Sequence, residues 1–215
     1  MSDAAVLLLL RHGEVASHRG DVPITEPGRA HAVRAGKALA IAYDGPVALL
    51  SGGTRRTRET AGAIAEGIGD PHRITGPADA FALRNPDMYV AGTRVDMVSS
   101  AESLAAQVPG MTEAQAAAHE WFGSFFTAPD RIGWWLKQTD PPGETGADLV
   151  RRITAFARSL ADPGPLAGRL VVGVTHSPVL RSVLRHATGA DTGEPGYVTG
   201  VRVADDITPY DPLSL

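Results

Sequence analysis

Two histidines in this chain each follow a short apolar run and stand next to groups that favour anions. Leu7-Leu8-Leu9-Leu10 stops at Arg11, His12 and Gly13, and Leu170-Val171-Val172-Gly173-Val174-Thr175 stops at His176, Ser177 and Pro178. Imidazole acts as a nucleophile or proton carrier near neutral pH, and guanidinium makes paired hydrogen bonds to phosphate or carboxylate. Side by side, Arg11 and His12 suit chemistry on one small anion, with phosphate the first candidate. Gly13 allows a sharp turn and a close approach of backbone to ligand. Ser177 and Pro178 read as the N-cap and first residue of a helix, which puts His176 beside backbone N–H groups that also favour an anion. Either histidine alone reads as well as a hydrogen-bonded structural group. Two of them ending similar runs form a pattern.

A third cluster repeats the arrangement. Val47 to Leu50 reads as a strand, Ser51-Gly52-Gly53 as a turn, and Thr54-Arg55-Arg56-Thr57-Arg58 as the first turns of a helix. A helix N-terminus is already positive, so three arginines there are destabilising unless an anion offsets them. Arg55 and Arg58 read as a solvated basic face. Arg56 stands between them, so all three cannot point the same way.

The elements that must position these groups are those of an α/β fold. Short all-apolar runs bounded by turns read as buried parallel strands, and ligands of open sheets gather outside the carboxyl ends of such strands. His18 to Pro27 is a loop, and a helix runs from Gly28 to the Asp44-Gly45-Pro46 breaker. Phe81-Ala82-Leu83 is expected to be a short strand and Arg84-Asn85-Pro86-Asp87 a turn. Thr112 to Phe126 reads as one helix capped by Thr112, and its aromatic residues, with Trp134 and Trp135, as core rather than pocket. Glu144 to Leu160 reads as an amphipathic helix, Tyr197 to Ala204 as the last, edge strand, and Asp205 to Leu215 as a poorly ordered tail.

Composition narrows the function classes. The length of 215 residues suits one domain, 1–215, with a helical insertion expected at about 98–138. A formal charge of −4 with scattered basic residues offers no footprint for nucleic acid, so an anion must be held locally. The chain has no cysteine, hence no thiol nucleophile and no thiolate metal site. Val6 to Leu10 is too short for a membrane span or a secretory segment, and the cytoplasm is the expected location. His12, His18, His31 and His176 could be grouped as metal ligands, but Arg11 and Arg56 beside them would repel a cation. No metal and no other cofactor is expected.

These segments together resemble the histidine phosphatase superfamily, the group that includes cofactor-dependent phosphoglycerate mutases and many broad-specificity phosphatases. Leu10-Arg11-His12-Gly13-Glu14 is the strongest match. Asp21 to Gly28 is similar to D-x-P-L-T-x-x-G, and Ser51 to Ala61 to S-S-P-L-x-R-A-x-Q-T-A, which places a phosphate-binding arginine on Arg56. Gly143-Glu144-Thr145 is similar to G-E-S, and Val172 to Arg181 to V-x-S-H-G-x-x-x-R. The resemblance implies a three-layer α/β/α sandwich around a mostly parallel sheet, phosphoglycerate mutase-like. It further implies a phosphohistidine on His12, with phosphate held by Arg11, Arg56 and His176, on a small phosphorylated substrate. No nucleic acid or membrane partner is implied, and a homodimer stays open.

The chain departs from the pattern at several places. His18 stands where the family often has a phosphate-binding asparagine and is expected still to donate to phosphate, as is Ser177, which with Pro178 replaces a common glycine. His31 replaces a glutamine and reads as structural. The absence of His-Asp at 176–177 argues against the branch that draws its acid there. The L-x-E segment of the other branch reads Leu83-Arg84-Asn85-Pro86-Asp87-Met88-Tyr89, without glutamate. Asp87 is therefore the expected general acid, with Glu102 next. The competing functions are a phosphoglycerate mutase-type phosphotransferase and a non-catalytic phospho-ligand sensor.

Overall fold

Three runs with every residue buried form the centre of a computed structural model that describes residues 6–17 and 20–214. They are β1 (Leu7–Arg11), β2 (Val47–Ser51) and β6 (Leu170–Thr175). In chain order the other elements are α1 (Glu26–Ala42), α2 (Arg55–Ile68), β3 (Ile74–Asp79), β4 (Met88–Val90), β5 (Thr93–Val95), α3 (Ala101–Ala105), α4 (Glu113–Ala118), α5 (Glu120–Thr127), α6 (Arg131–Trp135), α7 (Gly146–Ser159), α8 (Ser177–Thr188), β7 (Gly200–Val203) and β8 (Ile207–Tyr210). The main sheet has the order β3-β2-β6-β1-β7-β8. Its first four strands are parallel, and β7 and β8 are antiparallel additions at one side.

Alternation along the strands builds two cores, because successive side chains point to opposite faces. Leu7 and Leu9 join Leu149 and Ile153 of α7 and Val179, Leu180 and Val183 of α8. Leu8 and Leu10 join Ala32, Ala35 and Leu39 of α1 and Ala61, Ile64 and Ile68 of α2. The result is the expected three-layer α/β/α sandwich around a mostly parallel sheet. No helix of the described residues is long and apolar enough to cross a membrane.

Several local expectations are corrected. Phe81–Leu83 is a single 3-10 turn rather than a strand, and the Leu83 carbonyl accepts from Thr175 Oγ1 at the end of β6 (2.6 Å). Thr112 is an N-cap as expected, its oxygen accepting from Gln115 N, but the helix after it is two helices, α4 and α5. They part at His119, which is extended (φ −64°, ψ 121°) and caps α5 through its ring nitrogen, accepting from Phe122 N at 3.4 Å. Neither a proline nor a glycine marks that break. At the end of the chain β7 is not the edge, because Gly200 to Val203 pair with Tyr210 to Ile207 of β8. The stretch expected to be loose is this strand and a 3-10 turn, Pro212–Ser214. Ser177 is the first residue of α8, and His176 itself occupies the N-cap position.

Candidate active site

Register decides where the motifs meet. β1 and β6 pair from Leu7 with Val171 to Arg11 with Thr175, so His12 and His176 leave adjacent strands at the same level. Ser51 of β2 pairs with Val174 on the other side of β6, which brings the Ser51-Gly52 turn beside them. A Cβ on Gly52 would stand 2.5 Å from the Leu83 carbonyl and 3.3 Å from His176 Nε2, so only glycine lets this turn pass under the histidine.

His12 is buried, and its Nδ1 lies 2.8 Å from the Gly13 carbonyl oxygen. A carbonyl can only accept, so Nδ1 carries the hydrogen, and in the neutral ring Nε2 carries the lone pair. The His12 and His176 ring centroids are 5.6 Å apart. Gly13 N donates to Thr60 Oγ1 (2.8 Å), tying the turn after β1 to α2.

The cations come from two directions. Arg11 is buried, with Nη1 donating to the Pro195 carbonyl (2.6 Å), Nη2 paired with Glu194 (2.7 Å) and its guanidinium 4.2 Å over the Tyr197 ring. The next residue, Val198, is fully buried at φ +59°, a strained value for a β-branched side chain, and its N–H donates to the Arg11 carbonyl (3.0 Å). Arg56 sits in the first turn of α2 with Nη1 3.4 Å from the Gly20 carbonyl. Burial lowers the pKa of Arg56, against the opposing effect of Asp21 and Asp96. Among the described residues neither Arg11 Nε nor Arg56 Nε has a hydrogen-bond partner, although both are buried.

The other two arginines at that helix start are spoken for, as a solvated face requires. Arg55 pairs with Glu59 (2.7 Å) and Arg58 with Asp79 (2.5 Å). The positive helix end is offset by Asp21, whose carboxylate accepts from Arg55 N (2.7 Å).

Arg11, His12, Arg56, His176 and Ser177 line one cavity of about 410 Å³. Its remaining wall includes Asn85, Ser99 and Arg131, the apolar Met97, Val98, Phe125 and Ile132, and two carboxylates, Asp130 and Glu194. The aromatic cluster is core as expected, with Phe122, Phe125 and Trp135 buried and Trp121, Phe126 and Trp134 packed against them, and Phe125 also lines the cavity. His31 is on α1 and outside the cavity lining, its pKa lowered by partial burial and then by Arg34. His18 lies outside the described residues.

Asp87 does not meet the expectation of a general acid. Its carboxylate is taken up by Arg84 and Arg94 and does not line the cavity. Arg84 first and then Arg94, acting against partial burial, hold its pKa down at about 2, so it carries no proton to donate near neutral pH. Glu144 of the Gly143-Glu144-Thr145 segment supports the same turn, accepting from Asp87 N (2.7 Å) while pairing with Arg152 (2.6 Å). Glu102 is exposed on α3 and also stands outside the lining. At the glutamate position of L-x-E, Asn85 faces the cavity instead.

A sequence profile of the histidine phosphatase superfamily (branch 1) matches residues 7–76 and 105–200. The chain belongs to that superfamily. The stretch between the two matched segments, 77–104, holds the turn in which the glutamate is missing. No curated protein matches the chain. Among solved structures, a mycobacterial glucosyl-3-phosphoglycerate phosphatase in complex with VO3 is 21% identical, with 96% of this chain and 98% of that chain covered and a TM-score of 0.59. A structure named mycobacterial hydrolase 1 is 20% identical over 97% of each chain (TM-score 0.60). A phosphoglycerate mutase from Thermus thermophilus is 24% identical over 92% of each chain (TM-score 0.51). At these identities the likeness is one of fold.

Within this superfamily member, sequence reasoning missed the 190s loop and the cavity rim. Glu194 and Pro195 contact Arg11, and Tyr197 lies against its guanidinium. Arg181, almost fully buried on α8, ties that loop to the start of α6 through Asp191 (2.5 Å) and Asp130 (2.6 Å). Although burial would lower its pKa, those two carboxylates push it up. Arg181 ended the quoted Val172 to Arg181 segment and so was visible. Glu194 had no local signal, because its partners lie far away in the chain.

Proposed function

We propose that the protein is a phosphomonoester hydrolase acting on small phosphorylated metabolites through a phosphohistidine on His12. The observation that carries this reading is the His12 hydrogen bond from Nδ1 to the Gly13 carbonyl, 2.8 Å long, in the wall of a cavity shared with Arg11, Arg56 and His176. It orients the ring and assigns the lone pair to Nε2. Nε2 forms a bond to phosphorus as the bond to the ester oxygen breaks. Water then attacks the phosphohistidine, the N–P bond breaks, and neutral His12 and inorganic phosphate result. Arg11, Arg56 and His176 hold the equatorial oxygens and stabilise the charge that builds on them, a task metal ions perform in other phosphoryl transfers. Membership of the superfamily and a fold shared with a phosphatase and a phosphoglycerate mutase support the same reading.

The test is phosphate release from a panel of phosphomonoesters in the presence of chelator. Release that is abolished in His12→Ala is the expected result. A second reading, a phospho-ligand sensor, is favoured by Asn85 in the L-x-E position and by the capture of Asp87. Binding of inorganic phosphate without turnover of any ester would select it.

A further inference from the structure

Expelling an alkoxide from phosphorus is slow unless a proton reaches the ester oxygen. Among the described residues two carboxylates are available in the cavity wall, Asp130 and Glu194. Asp130 is fully engaged: its oxygens accept from Arg181 Nη1 (2.8 Å), Arg181 Nη2 (2.6 Å) and Gly133 N (2.9 Å). Arg181, against a smaller effect of burial, holds its pKa at about 2.

Glu194 differs in its position and its partners. One carboxylate oxygen is 2.7 Å from Arg11 Nη2, the other accepts from Ser177 Oγ at 2.5 Å, and Arg181 Nη1 is 3.6 Å away. Arg11 and Ser177 are two of the five groups read from the sequence as holding substrate phosphate, with His18, Arg56 and His176. A carboxylate of this chain therefore holds the contacts that a phosphate ester would take. The side chain is half exposed, whereas the backbone next to it is anchored through the Pro195 carbonyl on Arg11 Nη1 (2.6 Å). The side chain can turn while the loop stays in place.

Resting on the phosphomonoesterase reading, we propose that Glu194 is the proton donor to the leaving group and that the arriving phosphate is what loads it. A phosphate dianion on Arg11 and Ser177 displaces the carboxylate by a short distance and places negative charge beside it, which favours its protonated form. As His12 Nε2 bonds to phosphorus, the electron pair of the breaking P–O bond stays on the ester oxygen, which takes the Glu194 proton and leaves as an alcohol. The Glu194 carboxylate then accepts a proton from the water whose oxygen attacks the phosphohistidine, and the cycle closes with Glu194 protonated and His12 neutral.

The experiment compares kcat/KM of Glu194→Gln and wild type on an alkyl phosphate and on 4-nitrophenyl phosphate, whose leaving group needs no proton. The expected result is a loss of about 10²-fold or more on the alkyl ester with the aryl ester changed by less than about threefold. Equal loss on both esters, or no loss on either, overturns the proposal. Wild type alone provides a second measurement should the variant fail to fold. Across a series of aryl and alkyl phosphates, donation makes kcat/KM depend weakly on the leaving-group pKa, and a steep dependence overturns Glu194 as donor. Failure of the hydrolase reading looks different: wild type then turns over neither ester, aryl included, and the donor role falls with it.

Discussion

The rings of His12 and His176 stand edge to face, 5.6 Å between centroids and 61° between planes, because β1 and β6 are neighbours in parallel register up to Arg11 and Thr175. One phosphoryl group is small enough to touch both. The two rings nevertheless differ in setting, since His12 is fixed through Nδ1 by the Gly13 carbonyl and His176 stands at the N-cap position of α8.

That difference predicts unequal effects of substitution. On the proposed phosphohistidine mechanism, His12→Asn removes the nucleophilic nitrogen, so rapid quenching with labelled substrate is expected to find no acid-labile phosphoenzyme. On the same mechanism His176→Asn keeps the proposed nucleophile and loses the proposed charge stabilisation, so the phosphoenzyme is expected still to form, about 10²-fold or more slowly. Labelled phosphoenzyme in His12→Asn would refute the assignment.

Three arginines in one helical turn predict a sharp contrast. Arg56→Ala removes the guanidinium in the cavity wall and is expected to weaken inhibition by inorganic phosphate by about 10-fold or more, the loss of a charge-assisted contact. Arg55→Ala and Arg58→Ala break only exposed pairs with Glu59 and Asp79, and activity should stay within about twofold. Phosphate inhibition constants of the three variants decide the matter.

Asp87 predicts acid sensitivity of the fold instead of a catalytic effect. Its folded pKa of about 2 lies below the ordinary 3.8. The stability it contributes is full above about pH 4 and is lost as pH falls from about 4 through about 2, because the unfolded chain binds the proton first. Asp87→Asn should lower stability at neutral pH by about 2 kcal/mol and flatten this part of the acid limb. Denaturant unfolding at a series of pH values measures both. The ratio of alkyl to aryl phosphate turnover should be unchanged.

Arg181 has 2% of its side chain exposed, while its partners Asp130 and Asp191 are 58% and 26% exposed. Removing both carboxylates, as Asp130→Ala with Asp191→Ala, leaves a buried cation stripped of its two closest partners and should cost about 3–5 kcal/mol. Arg181→Met leaves carboxylates that water can reach and should cost less. Urea unfolding of the two proteins gives the order, and the reverse order would refute the argument.

Short apolar runs with Arg-His-Gly or His-Ser-Pro at their ends determined, from sequence alone, the parallel strands and the placing of both histidines at strand ends, because a buried strand needs continuous apolar residues. The choice of Arg56 over Arg55 came from the resemblance of Ser51 to Ala61 to the family motif. Tertiary structure decided the rest. The break at His119 carries no proline or glycine, and β8 exists because Ile207 to Tyr210 find β7 as a partner. Asp87 looked available in the sequence and is held by Arg94, on the partner strand of its own hairpin, as well as by Arg84. Glu194 carried no motif and reaches Arg11 from near the opposite end of the chain. Which cations surround a carboxylate shapes what it can do, and packing distant segments together is what chose those cations.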